Sequence, residues 1–182
     1  MNTALLFSAG RGLRLRPLTD TTPKPLCTIN DIALIEYHLT KLSNSSISRV
    51  LINHAYLGGQ IKQHLKTKTF KNLDIIYIPE PPGGLHTGGT ILNALPQLGN
   101  MPFLAINADI FTDYNFSNLI CPKDSLAHLV LIQNHRRLPA DFGLTQDKQL
   151  CNTPANYTFS GIACYKPAFF KNKQSGRTSL IP

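Results

Sequence analysis

The stretch FSAGRGLRLRPLTDTTPKPL, from Phe7 to Leu26, combines two glycines with three arginines and one lysine directly after a short apolar run. Gly10 and Gly12 let the backbone pass close to a ligand and direct N–H groups towards it, as phosphate-binding loops do. The stretch is neither a dinucleotide-binding fingerprint, because the third glycine is missing, nor a Walker loop, because no GK[ST] follows. Taken alone, the glycines favour a tight turn after a strand.

Cations in the same stretch favour an anionic ligand. Arg14 follows Gly12 by two residues, and a guanidinium can hold phosphate oxygens through paired hydrogen bonds. Lys24 lies between Pro23 and Pro25, whose rings restrict the backbone on both sides. A lysine held in this way suits a fixed point charge, although a surface lysine in a proline turn would also explain Lys24 by itself. The cations and glycines together predict a loop that binds phosphate groups.

The composition is typical of a soluble globular protein with a basic surface. The chain has 182 residues, of which 42% are hydrophobic and 15% charged, and its formal net charge is +8. This charge suits an anionic partner, but the sequence carries no nucleic-acid-binding motif. No apolar run is long enough to cross a bilayer, and the N-terminus lacks the basic region of a secretory signal. We expect a cytoplasmic protein whose scattered cysteines are reduced, namely Cys27, Cys121, Cys151 and Cys164.

Strand and helix patterns alternate along most of the chain. Short apolar runs predict strands, which span Ala4–Phe7, Arg49–Asn53, Leu73–Ile78, Pro102–Asp109, His128–Asn134 and Ala155–Tyr165. A first helix is predicted after Asp31, which would cap it, with an apolar face of Ile32, Ile35, Leu39 and Leu42. Further helices are predicted in GGQIKQHL and TGGTILNALPQL. This alternation indicates an α/β fold, a three-layer α/β/α sandwich around a Rossmann-like, mixed but mostly parallel sheet.

Ligands of such sheets bind at the carboxyl ends of the strands. That edge is predicted to carry the opening loop, Asn53 and His54, the glycines between Gly83 and Gly89, and Asp109. Asp109 ends an apolar strand opposite a cationic loop, which makes it a candidate magnesium ligand, whereas an aspartate that starts a turn is the simpler interpretation. The nearby Asp113 is expected to cap or turn the chain.

The opening segment resembles the signature of the sugar-1-phosphate nucleotidylyltransferases, GxGxRxxPLTxxxPKPL. The resemblance continues through IEYHL, INHAYLG, LHTGG, INADIFTDY and TFSGI, and it covers Thr3 to about Pro167. Together these segments are most similar to the bacterial N-acetylmuramate α-1-phosphate uridylyltransferases of peptidoglycan recycling. The mannose-1-phosphate guanylyltransferases are close relatives with similar motifs.

The resemblance implies transfer of UMP from UTP, or of another nucleotide, to a sugar 1-phosphate, with Mg²⁺ as cofactor and pyrophosphate as the second product. No covalent enzyme intermediate is implied. Arg14 would hold the departing β- and γ-phosphates, Lys24 would bind the α-phosphate, and Asp109 would bind magnesium. The remaining residues would contact the base, the phosphates or the sugar, and they are Ala9, Gly10, Gly12, Gly88, Gly89, Asn107, Ser160 and Gly161.

The sequence departs from the family pattern in its last part and at one motif position. The family carries a second magnesium-binding aspartate in a WxDxGT-like segment, whereas this chain contains no Trp and ends at SLIP. We therefore expect a single nucleotidyltransferase domain over residues 1–182 that lacks the C-terminal part of the family domain. His86 replaces the acidic residue usual in LxTGG, which points to an altered base or sugar preference. Guanylyl transfer, or nucleotide binding with little catalysis, remains an alternative.

Overall fold

The computed structural model describes residues 1–134 and 140–180, which form ten β-strands and three α-helices. The strands are β1 (Thr3–Phe7), β2 (Thr28–Ile29), β3 (Ile32–Ala33), β4 (Arg49–His54), β5 (Asp74–Pro79), β6 (Phe103–Asn107), β7 (Ala127–Gln133), β8 (Gly143–Leu144), β9 (Leu150–Cys151) and β10 (Tyr157–Tyr165). The helices are α1 (Leu34–Ser43), α2 (Gly58–Lys66) and α3 (His86–Leu98). None of these helices is long and apolar enough to cross a membrane.

A central sheet of six strands has the order β5-β4-β1-β6-β10-β7. The strands β5, β4, β1 and β6 run parallel, and β10 runs antiparallel to both of its neighbours, β6 and β7. Parallel neighbours need a crossover connection, and α1, α2 and α3 supply the three crossovers. The prediction of a mixed, mostly parallel sheet is therefore confirmed.

Apolar cores cover both faces of this sheet. On one face α1 and α2 pack against residues such as Leu6 and Ile106. On the other face α3 packs against their neighbours in the strands, Leu5 and Ala105. Successive side chains of a strand point to opposite faces, so a strand that is covered on both faces is apolar throughout. This burial explains the short continuous apolar runs in the sequence and gives the predicted three layers.

The first helix begins later than predicted. Its first residue is Leu34, and Ala33 occupies the N-cap position that was expected for Asp31. Asn30 and Asp31 instead form the turn between β2 and β3, with φ angles of 49° and 62°. A two-residue turn with positive φ at both positions matches the twist of a hairpin, which Asn and Asp tolerate better than most residues. Ile32 therefore belongs to a short strand, and 43% of its surface is exposed.

The order of the strands reverses beside β1. The chain passes from β1 to β4 and β5 on one side, and it then returns through α3 to β6 on the other side of β1. The loops that leave β1 and β6 diverge at the carboxyl edge and open a crevice, which is where open α/β sheets bind ligands. This topology places the opening loop and the segment after β6 on the two sides of one crevice.

Candidate active site

A cavity of about 460 Å³ opens at this crevice. Its size lies in the usual range for small-molecule sites. The loop after β1, the ends of β4 and β5, the start of α3 and the segment after β6 contribute to its wall. Several residues predicted for the site line it, namely Ala9, Gly10, Gly12, Lys24, Asn107 and Asp109. The fold thus brings the predicted phosphate loop, the lysine and the aspartate to one space.

Lys24 and Asp109 form an ion pair in the cavity wall. The distance from Lys24 Nζ to Asp109 Oδ2 is 2.5 Å, and 25% and 35% of the two side chains are exposed. Pro23 precedes a short 3₁₀ helix that starts at Lys24, and Pro25 in that helix is buried. The backbone of the lysine is therefore anchored, as its flanking prolines predicted, while its ammonium group reaches the cavity. An anion that enters the cavity could take the place of Asp109 beside Lys24. A cation could take the place of Lys24 beside Asp109.

The loop after β1 offers backbone donors to the same cavity. Within residues 1–134 and 140–180, no protein acceptor pairs with the N–H groups of Ala9, Gly10, Arg11 or Gly12. Gly12 has a φ of 64°, and a Cβ there would lie 3.0 Å from Thr19 Cγ2, so the position requires glycine. The Thr19 hydroxyl donates to the Gly12 carbonyl at 2.8 Å and holds the loop in place. Consecutive free N–H groups on a glycine-containing loop form an anion-binding concavity.

Arg14 lies beside the cavity and not in its wall. Its neighbours in the loop are engaged elsewhere, because Arg11 lies 5.0 Å from the ring centre of Tyr56 and Arg16 forms a 2.9 Å ion pair with Asp20. In the part of the chain that the structure describes, exposed Arg14 forms no ion pair. The guanidinium group is thus not engaged by a described acidic side chain.

Gly88 and Gly89 lie in the first turn of α3 and not in a loop before it. A C-terminal segment crosses this turn: Thr178 N–H donates to the Leu85 carbonyl, and Gly89 N–H donates to the Thr178 carbonyl, each at 3.1 Å. A Cβ on Gly89 would lie 2.0 Å from the Gly176 carbonyl oxygen, and one on Gly88 would lie 2.8 Å from that of Thr178. The chain's own backbone thus requires both glycines, and neither lines the cavity.

Ser160 and Gly161 also lie outside the cavity wall, on β10 next to the end of β6. Gly161 has a φ of 84°, and a Cβ there would lie 2.8 Å from Asn107 Nδ2. The Ser160 hydroxyl donates to the Val130 carbonyl at 2.7 Å and is therefore tied to β7. Gly161 contributes to the site by making room for Asn107, which does line the cavity.

A polar network at the far end of the cavity joins Asn53, which was predicted at this edge of the sheet, to Glu80 and Thr90, which were not assigned from the sequence. Asn53 Nδ2 and the Thr90 hydroxyl donate to Glu80 Oε1 at 2.8 and 2.5 Å, and Leu85 N–H donates to Glu80 Oε2 at 2.9 Å. Asn53 Oδ1 accepts from Ser8 N–H at 2.7 Å. A signal was present, because Glu80 lies two residues after the end of the strand predicted at Leu73–Ile78, close to the carboxyl edge of the sheet.

The segment after Asp109 is anchored to α1. His38 Nε2 lies 2.9 Å from the carbonyl oxygen of Ile110, and Lys41 Nζ donates to the carbonyl of Thr112 at 2.5 Å. Burial lowers the pKa of His38, so the imidazole is neutral at pH 7, and its Nε2–H donates to the Ile110 carbonyl. These contacts hold the segment after β6, on one side of the crevice, against the first helix.

Asp109 could supply one ligand to a magnesium ion whose other ligands come from outside the protein. Among the described residues, no cluster of three or more His, Cys, Asp or Glu could hold a metal ion. Mg²⁺ usually takes one or two protein carboxylates and completes its shell with phosphate oxygens and water. A carboxylate next to free backbone donors and a lysine suits such an ion, whereas a metal held by protein ligands alone would need more of them.

Comparison with known proteins identifies a family, similar sequences and similar solved structures. The profile of the nucleotidyl transferase family matches residues 3–150. The chain is 42% identical to an N-acetylmuramate α-1-phosphate uridylyltransferase of Neisseria meningitidis, across 98% of this chain and 81% of that protein. It is 35% identical to a protein of the same name from Caulobacter vibrioides, across 58% of this chain and 45% of that protein. HddC from Yersinia pseudotuberculosis, solved with GMP-PN, has the same fold, with a TM-score of 0.83 at 19% identity, covering 98% of this chain and 83% of its own.

Proposed function

The chain belongs to the nucleotidyl transferase family, and from that premise we propose that it transfers a uridylyl group from UTP to N-acetylmuramate α-1-phosphate. The products are the UDP-sugar and pyrophosphate. The observation that carries the proposal is the shared cavity of Lys24, Asp109 and the free N–H groups at Gly10 and Gly12. The choice of uracil and of N-acetylmuramate rests on the similarity to the Neisseria meningitidis protein.

The reaction forms one phosphorus–oxygen bond and breaks another. An oxygen of the sugar phosphate attacks the α-phosphorus of UTP, and pyrophosphate leaves with the bonding electron pair. Negative charge grows on the oxygens around the α-phosphorus, where Lys24 Nζ would donate. Two unit charges about 4 Å apart at a partly shielded site interact by roughly 4 kcal/mol, so a fixed ammonium group in this place is an effective catalyst.

The phosphate loop would hold the part of the triphosphate that leaves. The free N–H groups of Ala9, Gly10 and Gly12 would donate to phosphate oxygens, and Arg14 would bind the β- and γ-phosphates outside the cavity wall. Holding both reactants in line replaces a slow encounter in water by a reaction inside one complex. No side chain has to form a covalent intermediate in this scheme.

Asp109 would bind magnesium once a nucleotide displaces Lys24 from it. The ion, when bound, neutralises phosphate charge and helps to orient the oxygens. The remaining tasks fall to the chain itself: Asn107 would contact the nucleoside, and Gly161 would keep Asn107 in place. The sugar phosphate would approach next to β10, whose Ser160 and Gly161 adjoin the end of β6.

The biological setting follows from the substrate. An enzyme that activates N-acetylmuramate 1-phosphate would act in the cytoplasm, in the recycling of peptidoglycan. A sugar nucleotide is the product that such recycling needs, because the nucleotide is a good leaving group for later transfer.

A matrix of nucleoside triphosphates and sugar 1-phosphates, with released pyrophosphate as the readout, tests this function. We expect the highest kcat/KM for UTP with N-acetylmuramate α-1-phosphate, and release that depends on added Mg²⁺. Preference for GTP with mannose 1-phosphate would instead assign guanylyl transfer. Absence of pyrophosphate together with a higher Tm in UTP would leave a nucleotide-binding module without catalysis. An unchanged Tm with every nucleotide would reject both functions.

A further inference from the structure

Asn53 connects two walls of the cavity through one side-chain amide. Only 2% of the residue is exposed. Its Oδ1 accepts from Ser8 N–H at 2.7 Å, and its Nδ2 donates to Glu80 Oε1 at 2.8 Å and to Thr90 Oγ1 at 3.2 Å. Both amide protons and the carbonyl oxygen are therefore used. The donors and acceptors around it allow one orientation of the amide.

On one side, Asn53 determines where the phosphate loop leaves the sheet. Phe7 at the end of β1 pairs with Asn53 on β4, and the backbone ladder between these strands stops there. Ser8 is the next residue, it is 1% exposed, and its N–H is bound by the Asn53 side chain instead of by backbone. The free N–H groups begin directly afterwards, at Ala9. The side chain thus supplies the last fixed point before the loop.

On the other side, Asn53 holds the carboxylate that organises the far wall. Glu80 Oε2 accepts from the N–H of Leu85, the N-cap residue of α3. Between them Gly83 and Gly84 turn the chain with φ angles of 91° and 71° and line the cavity. A carboxylate at a helix N-terminus is favourable, because the free N–H groups there carry partial positive charge. Glu80 therefore determines the position of both the turn and the helix start.

We propose that Asn53 is a positioning residue that holds the phosphate loop at a fixed distance from the wall formed by Gly83, Gly84 and Leu85. Its amide protons and its carbonyl oxygen are all used within the protein, so it acts through Ser8 and Glu80. This inference rests on the proposed function in one respect, because the ligand whose binding it affects is a nucleoside triphosphate. An asparagine is required, because the position must accept a hydrogen bond from Ser8 and donate one to Glu80.

The network can be tested by exchanging the amide at position 53 with the carboxylate at position 80. Asn53→Asp keeps the shape and the acceptor for Ser8, but it brings a second carboxylate against Glu80 and removes the donor. Glu80→Gln replaces the carboxylate by an amide with only one acceptor oxygen. Either its NH₂ group then faces the NH₂ group of Asn53, or it faces the N–H of Leu85. In the double variant the carboxylate accepts from Ser8, from the new amide and from Thr90, while the amide oxygen still accepts from Leu85. Every hydrogen bond is restored with the two side chains exchanged.

The experiment measures the Kd of UTP with Mg²⁺ by calorimetry for the full chain, both single variants and the double variant. Loss of one buried partner is expected to weaken UTP binding at least about tenfold in each single variant. The double variant should bind within about threefold of the natural sequence, which shows coupling between the two sites. The KM for the sugar phosphate should stay unchanged. Asn93→Asp, at an exposed position of α3, is the charge-matched control and should bind normally.

A second readout tests the positioning role of Asn53 independently of the proposed uridylyl transfer. In Asn53→Asp, repulsion from Glu80 should displace the new carboxylate from Ser8, so hydrogen exchange of the Ser8 amide, followed by NMR without nucleotide, should speed up. In the double variant this repulsion is absent, and the exchange should return to the natural rate. Failure of the double variant to restore exchange and binding would overturn the proposal. If no variant binds UTP, the proposed function fails, and the exchange rates still decide whether Asn53 holds Ser8. If Asn53→Asp does not fold, Glu80→Gln is compared with the double variant in its place.

Discussion

Lys24 Nζ and Asp109 Oδ2 lie 2.5 Å apart, although 85 residues separate them in the chain. One comes from a proline-flanked segment of the opening loop and the other from the segment after β6, so the pair forms only when the crevice between β1 and β6 has folded. Each charge neutralises the other inside the cavity wall. The proposed ligand, a magnesium nucleotide, would offer an anion to the lysine and a cation to the aspartate.

Replacing Lys24 by Met should reduce kcat by at least about 10²-fold. The substitution keeps the length of the side chain and removes the charge that would stabilise the reacting phosphate, an effect usually worth about 2.7–4 kcal/mol. Rates of pyrophosphate release measure the loss. Lys71→Met, at an exposed position away from the cavity, is the matched control and should leave the rate unchanged. Equal activity of the two variants would remove Lys24 from the mechanism.

Replacing Asp109 by Asn should abolish the part of UTP binding that depends on Mg²⁺. An amide is a poorer magnesium ligand than a carboxylate, and it also weakens the attraction to Lys24. Titrating Mg²⁺ at constant UTP, with heat of binding as the signal, shows the effect. Asp113→Asn makes the same change in the wall of another cavity, and it should keep a natural response to Mg²⁺. A loss of response in Asp113→Asn instead would exchange the roles of the two residues.

Gly12→Ala should destabilise the opening loop. The residue has a φ of 64°, and its Cβ would lie 3.0 Å from Thr19 Cγ2 and 3.2 Å from Lys24 Cβ. The left-handed conformation costs an alanine about 1–2 kcal/mol, which corresponds to a fall in Tm of about 2–8 °C for a chain of this size. Thermal unfolding followed by circular dichroism measures it. Gly59→Ala in α2 meets nothing within 4 Å and should leave Tm unchanged or higher.

Acid should weaken the contact between α1 and the end of α2. Glu36 accepts hydrogen bonds from His64 at 2.7 Å and Lys68 at 3.0 Å. Burial alone would raise the pKa of Glu36, but these hydrogen bonds and the positive charges outweigh it and hold the pKa below its ordinary value of 4.5. A carboxyl whose pKa is lower in the folded than in the unfolded state stabilises the fold above the unfolded value, and this stabilisation disappears as the pH falls through the folded value.

The gap in Tm between the natural chain and Glu36→Gln measures that contribution. We expect a constant gap above about pH 5 and a shrinking gap below pH 4.5. Asp74→Asn breaks a 3.6 Å contact with Arg49 in which both side chains are at least half exposed, so it should change Tm little at any of these pH values. A gap for Glu36→Gln that is independent of pH would contradict the assignment.

The sheet and the place of the glycine-containing loop at its carboxyl edge were predictable, because local patterns determine them. Continuous apolar runs such as Ala4–Phe7 are typical of strands that are buried on both faces, and glycines followed by cations are typical of loops that bind anions. Once the strands were known, the topology placed Asp109 opposite Lys24 without further information. The short hairpin before α1 was missed, because the apolar residue Ile32 fits a helical pattern as well as it fits a strand.

The far wall of the cavity could not be predicted, because it depends on contacts between distant segments. Asn53 lies on β4 and Glu80 follows β5, and nothing in either local sequence shows that the Asn53 amide donates a hydrogen bond to the Glu80 carboxylate. The role of Gly89 depends on a C-terminal segment that lies against it in three dimensions. The local sequence around such residues is typical of an ordinary turn or helix, because their partners come close only in the folded chain.

The most direct measurement is a single turnover with UTP labelled at the α-phosphate, N-acetylmuramate α-1-phosphate, Mg²⁺ and an excess of the full chain. The label should move quantitatively into a UDP-sugar, with one equivalent of unlabelled pyrophosphate, and Lys24→Met should stop the transfer. If the folded chain binds UTP but the label stays in UTP, this result would contradict catalysis at the Lys24–Asp109 cavity.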